Sequence, residues 1–296
     1  MSDLDSAIGF TIASRHARGR VVRLGPVLDA ILADHGYPPV IEKILAEAIL
    51  LAALFGTTLK QTEGQLTLQA QTESGVIDLM VADYRNGELR GYLRHDPERL
   101  AEAPADPSLF ALFGKGYLAI TFDQATSGER YQGIVPLEGG SLGEAAESYF
   151  SQSEQIPSLV RLAVTRTADG RHVAAGLLIQ HLPEGEEGRE RIHTRLDHPE
   201  WEHVHALAST VKSDELLDPE LPFDVLLWRL FNEEEEVRVT SLSHFTRGCR
   251  CDLDHIRGVI ARFPEVDRTE MVGDDGLIRV DCAFCAKSFG IDPLMI

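Results

Sequence analysis

Gly248-Cys249-Arg250-Cys251 and Asp281-Cys282-Ala283-Phe284-Cys285 contain every cysteine of this 296-residue chain. The pattern is C-x-C, an interval of 30 residues, then C-x-x-C, all within the last 48 residues. Two short pairs brought together present four soft sulfur ligands, the donor set of a tetrahedral Zn²⁺ site. The spacing therefore predicts one zinc ion per chain on Cys249, Cys251, Cys282 and Cys285. An iron centre and four unrelated buried thiols are the other readings of these residues. A disulfide-stapled secreted domain fits poorly. The chain is large, and its first ten residues, MSDLDSAIGF, carry two Asp and no Lys or Arg, so they lack a secretory n-region.

A metal on these residues has consequences for folding. Structural zinc contributes roughly 10–16 kcal/mol of apparent binding free energy, against about 5–15 kcal/mol for the stability of a whole domain. A tail of about 50 residues is too small to build a large core alone, so loss of the metal suffices to unfold it. Zinc holds deprotonated sulfur, and thiolates are what oxidants attack. A redox-to-folding switch is one use of such a site; a purely structural role is the other. Arg247, Arg250 and Lys287 flank the pairs and favour thiolate. Thr246 to Ile296 nevertheless carries seven basic against nine acidic residues, so the tail is no basic patch and a nucleic-acid zinc ribbon is a poor fit.

Upstream, Pro183 to Val237 holds 16 acidic residues against five basic ones, more than half of the chain's net charge of −19. Its start, Pro183-Glu184-Gly185-Glu186-Glu187-Gly188, is a flexible linker by composition. The same segment contains Leu216, Leu217, Leu221, Phe223 and the run Val225-Leu226-Leu227-Trp228-Arg229-Leu230-Phe231, followed by the acidic run Glu233 to Glu236. Self-repulsion opposes compaction here while apolar burial favours it. Two readings follow: a helical layer packed on the core with a solvated acidic face, or a conditionally folded linker that exposes apolar surface when a stabilising contact is lost. His193, His198, His203 and His205 read as solvated surface histidines rather than metal ligands.

The part before residue 183 reads as α+β. Val27 to Gly36 and Ile41 to Leu59 have helical spacing. Gln65 to Gln71 alternates as a strand, and Val76 to Asp83 and Glu88 to Arg94 flank Asn86-Gly87 as a hairpin. Tyr117 to Phe122 and Tyr131 to Leu137 read as two further strands, and Leu159 to Arg166 and His172 to Gln180 as a pair around Asp169-Gly170. Ser141-Leu142-Gly143-Glu144 fits a capping box before a helix ending near Gln155. No repeat, Walker A, G-x-S-x-G or H-E-x-x-H motif occurs. Gly114-Lys115-Gly116-Tyr117 and Ser127 to Gly133 read as turns at strand entrances. Hydrophobic residues make up 44% of the chain, enough for a real core. The acidic balance argues against nucleic acid and anionic membranes as partners. The most apolar stretch, Ile41 to Leu59, is interrupted by Glu42, Lys43 and Glu47 and reads as a buried helix. A soluble, cytoplasmic protein is expected.

The two cysteine motifs resemble those of the Hsp33 family of redox-regulated chaperones. The likeness extends to Gly128-Glu129-Arg130-Tyr131-Gln132-Gly133 with Leu137-Glu138-Gly139, and to Tyr149-Phe150 with Ser153-Glu154-Gln155-Ile156-Pro157. It also takes in Gly64, Arg90-Gly91, and Trp228-Arg229-Leu230 with Glu233-Glu234-Glu235. These pieces run in the family's order over most of the chain. The resemblance implies a mixed α/β core domain (1–182), an acidic helical redox-responsive linker (183–245) and a small C-terminal zinc-binding domain (246–296). It implies a non-enzyme whose reduced, zinc-bound form is largely inactive. Hypochlorous acid, or peroxide with heat, then forms the disulfides Cys249–Cys251 and Cys282–Cys285, releases zinc and unfolds tail and linker. The active form is a homodimer that holds unfolding client proteins without ATP and passes them to ATP-dependent foldases. Leu226, Leu227, Trp228, Leu230 and Phe231 are the candidate client-binding or switch surface, by their place beside the switch. The acidic insertion Glu184 to Arg191 and the linker's many histidines depart from the family pattern. A thiol–disulfide oxidoreductase using Cys282 and Cys285, and a structural zinc module for protein contacts, are the rival functions.

Overall fold

The computed structural model describes residues 3–59, 64–72, 74–124, 129–137, 139–182, 198–240 and 243–296. In chain order the first elements are β1 (Ser6–Ile12), β2 (Ala17–Leu24), α1 (Pro26–Leu32), α2 (Pro39–Gly56), β3 (Gln65–Thr72), β4 (Ile77–Arg85) and β5 (Glu88–His95). Then come α3 (Pro97–Glu102), α4 (Leu109–Phe113), β6 (Gly116–Gln124), β7 (Glu129–Pro136), α5 (Leu142–Tyr149), β8 (Ser158–Arg166) and β9 (His172–His181). The acidic segment supplies α6 (Pro199–Ala208), α7 (Ser213–Leu217), α8 (Phe223–Phe231), β10 (Arg238–Val239) and β11 (Ser243–His244). The tail supplies β12 (Thr246–Arg247), α9 (Leu253–Ile260), α10 (Glu265–Glu270), β13 (Ile278–Asp281) and β14 (Ser288–Ile291).

Helix α2 organises the body. It is apolar on nearly every side, and thirteen of its residues, from Ile41 to Gly56, are buried; such a helix needs partners all round. Two sheets provide them. The first runs β10-β1-β2-β9-β8, with β11 also on β1; the second runs β12-β5-β4-β3-β6-β7. The helix approaches both sheets over glycines. A Cβ on Gly91 of β5 would lie 2.9 Å from Ile49, and one on Gly176 of β9 would lie 2.8 Å from Leu54. Side chains there would prise the layers apart. The β4–β5 hairpin turns at Asn86 and Gly87 with φ of 49° and 82°, the left-handed pair that a two-residue hairpin loop requires.

The other face of the first sheet is equally apolar and is roofed by the acidic segment. Ile8, Phe10, Ile12, Val21, Leu177 and Ile179 pack with Trp201, Val204, Phe223, Leu226, Leu230 and Phe231 in one cluster. Strand β9 is therefore buried at every position, as a central strand covered on both faces must be. The tail's own cluster is small: Ile260, Ile278 and Ile291 are its buried members.

The chain thus folds as the mixed α/β body expected, with a helical layer and a small cysteine-bearing tail. The helices and strands read between residues 27 and 180 appear within a few residues of their expected bounds. Strands β1 and β2 were not expected, nor were the short strands β10 to β14. In β2, Arg18, Arg20 and Arg23 obscure the alternation, because their stems lie against protein and their heads bond backbone or side-chain carbonyls. Helix α5 ends at Tyr149 and continues as a π-helical turn, Phe150–Glu154. Only half of the capping box forms. Ser141 accepts from the Glu144 N–H, while Glu144 accepts from Gly140 rather than from the N-cap residue. The linker start Pro183–Gly188, the insertion Glu184–Arg191, His193, Ser127-Gly128 and Glu138 lie outside the described residues. Among those described, no helix is long and apolar enough to cross a membrane.

Candidate metal centre

Each cysteine pair is positioned by backbone. Strand β12 runs parallel to β5 at the edge of the second sheet. The Thr246 N–H donates to the Gly87 carbonyl and the Gly248 N–H to the Leu89 carbonyl, both at 2.9 Å. These bonds deliver Cys249 and Cys251 just past that edge. Cys282 and Cys285 lie in the turn between β13 and β14. There the Ala286 N–H donates to Cys282 at 2.8 Å and the Cys282 N–H to Lys287 at 2.9 Å. Ala286 takes the left-handed conformation, φ 52°, that closes the turn.

The four sulfurs converge. Cys249 Sγ lies 3.6 Å from Cys282 Sγ, and Cys251 Sγ lies 3.6 Å from Cys285 Sγ. All four ligand atoms fall within 4.8 Å of one another. A ZnS₄ tetrahedron with Zn–S near 2.3 Å has edges of about 3.8 Å, whereas a disulfide spans about 2.05 Å. The geometry is that of a four-thiolate cage, and the cysteines are free thiols. Burial, hydrogen bonds with Cys249 and Cys285, and the charge of neighbouring sulfurs push the Cys251 thiol up to about 12. Four thiolates cannot share so small a volume without a cation, and a divalent, soft-ligand metal supplies one. The donor set fits zinc.

The flanking cations do less for the sulfurs than the sequence suggested. Arg247 pairs with Asp34, and Arg250 donates to Gln65 at 2.9 Å with Glu88 at 3.9 Å. Their work is docking. Between the second cysteines, Phe284 lies under the Arg90 guanidinium at 3.8 Å and meets Tyr92 edge-on with centroids 4.8 Å apart. Its carbonyl accepts from His35 Nε2 at 3.3 Å; burial lowers the pKa of that imidazole, although the Phe284 bond opposes the shift. Arg90 is itself fixed by Asp83 at 2.6 Å, and Asp83 accepts from Thr67 at 2.7 Å. Sequence reading did not single out His35, Asp83, Tyr92 or the role of Arg90. Alternation along β5 put Arg90 and Tyr92 on one face, but not what covers that face.

The candidate switch residues divide by face. Leu226, Leu227, Leu230 and Phe231 are buried against the first sheet, with Phe231 and Phe10 centroids 5.8 Å apart. Trp228 is 66% exposed on the opposite side of α8. Two polar devices hold this layer down. Glu234, from the acidic run, has a side chain only 2% exposed and receives Arg15 at 2.9 Å and His203 at 2.7 Å. Arg23 is fully buried and donates to the carbonyls of Leu216 at 2.8 Å and Leu221 at 3.2 Å. His198 and His203 are engaged, not merely solvated. The His198 ring lies tilted against His181, with centroids 4.8 Å apart, and His203 binds Glu234.

Fold and site together place a four-cysteine cluster able to hold a metal ion in a tail that, with the helices before it, is held against one α/β body. The Hsp33 protein family profile matches residues 5–292, and the chain belongs to the Hsp33 family, a family of chaperones and not of enzymes. It is 42% identical to the 33 kDa chaperonin of Caulobacter vibrioides (strain NA1000 / CB15N), over 98% of this chain and 95% of that one. It is 33% identical to the 33 kDa chaperonin of Yersinia pestis (strain Pestoides F), over 100% and 95%. The crystal structure of the 33 kDa chaperonin (heat shock protein 33 homologue) of Thermotoga maritima shares its fold, with a TM-score of 0.79, 23% identity and coverage of 97% of this chain and 95% of that one. Membership of a chaperone family implies binding of unfolded client proteins.

Proposed function

We propose that this protein is a redox-regulated, ATP-independent holdase with one zinc per chain on Cys249, Cys251, Cys282 and Cys285. The observation that carries the reading is the position of the cage, four convergent sulfurs docked on the edge of the sheet whose neighbour bears an apolar face under α6 to α8. When bound, zinc keeps the sulfurs as thiolates and ties the two halves of the tail together. Two thiolates and one hypochlorous acid give a disulfide, chloride and hydroxide, the pair of sulfurs losing two electrons. A second such event consumes the other pair.

The disulfides taken over from the family resemblance, Cys249–Cys251 and Cys282–Cys285, join sequence neighbours. The shortest sulfur contacts run between the motifs instead. Pairing neighbours therefore dissolves the link between the two halves and leaves a tail whose own core is a cluster of three buried isoleucines. The zinc domain (246–296) and then the linker (183–245) lose their docking on the core (1–182). Leu226, Leu227, Leu230 and Phe231 join Trp228 in an apolar surface for clients. The oxidised form works as a homodimer in the cytoplasm, and its clients pass to ATP-dependent foldases.

The test is light scattering of a heat-aggregating client with reduced zinc-loaded and with pre-oxidised protein. Suppression by the oxidised sample alone supports the switch. Equal suppression by both makes the zinc structural, and suppression by neither removes the holdase reading.

A further inference from the structure

We propose that the histidines beneath α6 form a second trigger, which undocks the linker and turns on client holding in mild acid while the four-cysteine cage stays reduced and metal-bound. The proposal rests on the holdase reading for its output, but its trigger is separate from the sulfurs.

The geometry centres on His181, the last residue of β9. Its ring is 1% exposed, and neither ring nitrogen has a hydrogen-bond partner among the described residues. A buried polar ring with both nitrogens unsatisfied is costly and calls for an explanation. The ring is enclosed by other imidazoles and an indole. His198, which caps α6, lies 4.8 Å away, Trp201 of α6 lies 6.1 Å away, and His16, in the turn between β1 and β2, lies 6.5 Å away. His205 meets Trp201 edge-on, with centroids 5.4 Å apart. The site therefore lies at the seam between the core and the first described helix of the acidic segment.

Among the described residues, three acids on the elements around His181 are engaged elsewhere, and Glu202 of α6 is exposed. Glu200 of α6 bonds Arg15 at 2.5 Å. Glu147 of α5 accepts from the Val160 N–H at 2.7 Å and from Arg161 at 3.1 Å. Glu234 is held by Arg15 and His203. Arg15 beside His16, and Arg18 of β2 bonded to Gln180, add positive charge from the core side. His203 stands apart, because Glu234 at 2.7 Å receives it whether or not it is charged.

Burial first, then His198 and His16, hold the His181 pKa below its ordinary value, with Glu200 opposing. A histidine whose pKa is lowered on docking stabilises the docked state only while neutral. That stability is intact above the ordinary histidine value of about 6.5 and is lost as pH falls through it toward the lowered value. Undocking exposes the ring to water and relieves that cost.

The experiment uses the reduced, zinc-loaded full chain between pH 7.5 and 5.5, with Trp228→Phe only in the fluorescence arm, to isolate Trp201 emission. Linker release is read from Trp201 fluorescence and from limited proteolysis, bound zinc from a chromogenic chelator, and holding from client light scattering. The expected result is release and holding with a midpoint near pH 6 and zinc retained, at least a tenfold rise in cleavage rate, and a midpoint at least half a pH unit lower in His181→Leu. His198→Asn keeps the helix cap and removes the imidazole that lies 4.8 Å from His181 and opposes its protonation, and it also lowers the midpoint. That variant carries the test if His181→Leu does not fold. A linker still docked at pH 5.5, zinc loss in step with release, or both variants matching wild type overturns the proposal. Acid release without holding, in a protein whose oxidised form does hold, overturns it as well. Release without holding by either form strikes the holdase reading instead and leaves the acid trigger standing.

Discussion

The guanidinium of Arg90 stacks on the ring of Phe284, 3.8 Å from its centroid, and so joins a core strand to the turn that carries two of the four cysteines. Behind it, Asp83 is buried and bonds both Arg90 and Thr67. The cage is thus not a free module: its C-x-x-C turn is pinned to the second sheet by one aromatic side chain. A cation–π contact of this kind is worth about 0.5–2 kcal/mol and the edge-on contact with Tyr92 about 0.5–1.5 kcal/mol.

Phe284→Leu should therefore loosen the tail without touching a ligand. The expected loss is about 1–2 kcal/mol of docking, or roughly a five- to thirtyfold faster zinc release under a fixed dose of hypochlorite. Chromogenic zinc titration against time checks this. Release at the wild-type rate would mean that Phe284 merely fills space.

Arg90→Ala should be more severe, because it strands the Asp83 carboxylate, whose side chain is 3% exposed. Breaking a buried pair from one side costs about 3–5 kcal/mol. The loss falls on the core itself, so thermal unfolding of the β3–β5 region should shift as well as zinc release. Asp83→Asn with Arg90→Ala should recover part of the difference.

The core was legible in the sequence where one periodicity ran undisturbed. Helix α2 and the hairpin at Asn86-Gly87 are examples, because an all-apolar helix and a left-handed turn pair each have one structural solution. The cage was legible because thiolate spacing constrains geometry directly. Strand β2 was hidden, since Arg20 and Arg23 look like solvent-facing residues until their carbonyl partners, Thr57 on one side and Leu216 and Leu221 on the other, are known. The docking of Phe284 was hidden for the same reason. It depends on which strand face the tail meets, 194 positions from Arg90, and local pattern carries no record of that. His198 and His203 were misjudged because their contacts with His181 and with Glu234 are tertiary facts.

Glu234→Gln tests the clamp on the linker. Burial raises the Glu234 pKa, but the bonds from Arg15 and His203 outweigh it and leave the carboxyl below its ordinary value of 4.5. Its contribution is therefore present above that ordinary value and is lost as pH falls through the lowered one. At pH 7.5 the substitution should weaken linker docking by about 1.5–3 kcal/mol, the worth of hydrogen bonds to a charged group. The difference between variant and wild type should shrink once pH falls below the ordinary value and vanish as it passes the lowered one. Proteolysis rates across α6 to α8 at several pH values provide the check.

Cys251→Ser removes the ligand whose thiol is pushed up to about 12 when the sulfurs stand alone. Metal affinity should fall by at least tenfold. The segment from 246 to 296 should lose its dispersed amide resonances, because Ile260, Ile278 and Ile291 cannot hold it. Strands β3 to β9 should keep theirs. Unchanged affinity would show that Cys251 is not a ligand.

Arg23→Lys separates linker docking from redox chemistry altogether. Arg23 is 0% exposed, lies over Phe223 at 4.9 Å and spans two carbonyls of the linker, Leu216 and Leu221, with different guanidinium nitrogens. A lysine keeps the charge but has one compact head in place of a planar fork, so it cannot reproduce both bonds in that geometry. At least one buried carbonyl is then left unpaired, at a cost of about 1–3 kcal/mol to the docked linker. Because no cysteine is touched, zinc affinity should match wild type. The reduced protein should nonetheless bind an apolar fluorescent dye and slow client aggregation before any oxidant is added. A reduced Arg23→Lys protein as silent as wild type would show that docking of α7 and α8 does not limit activation.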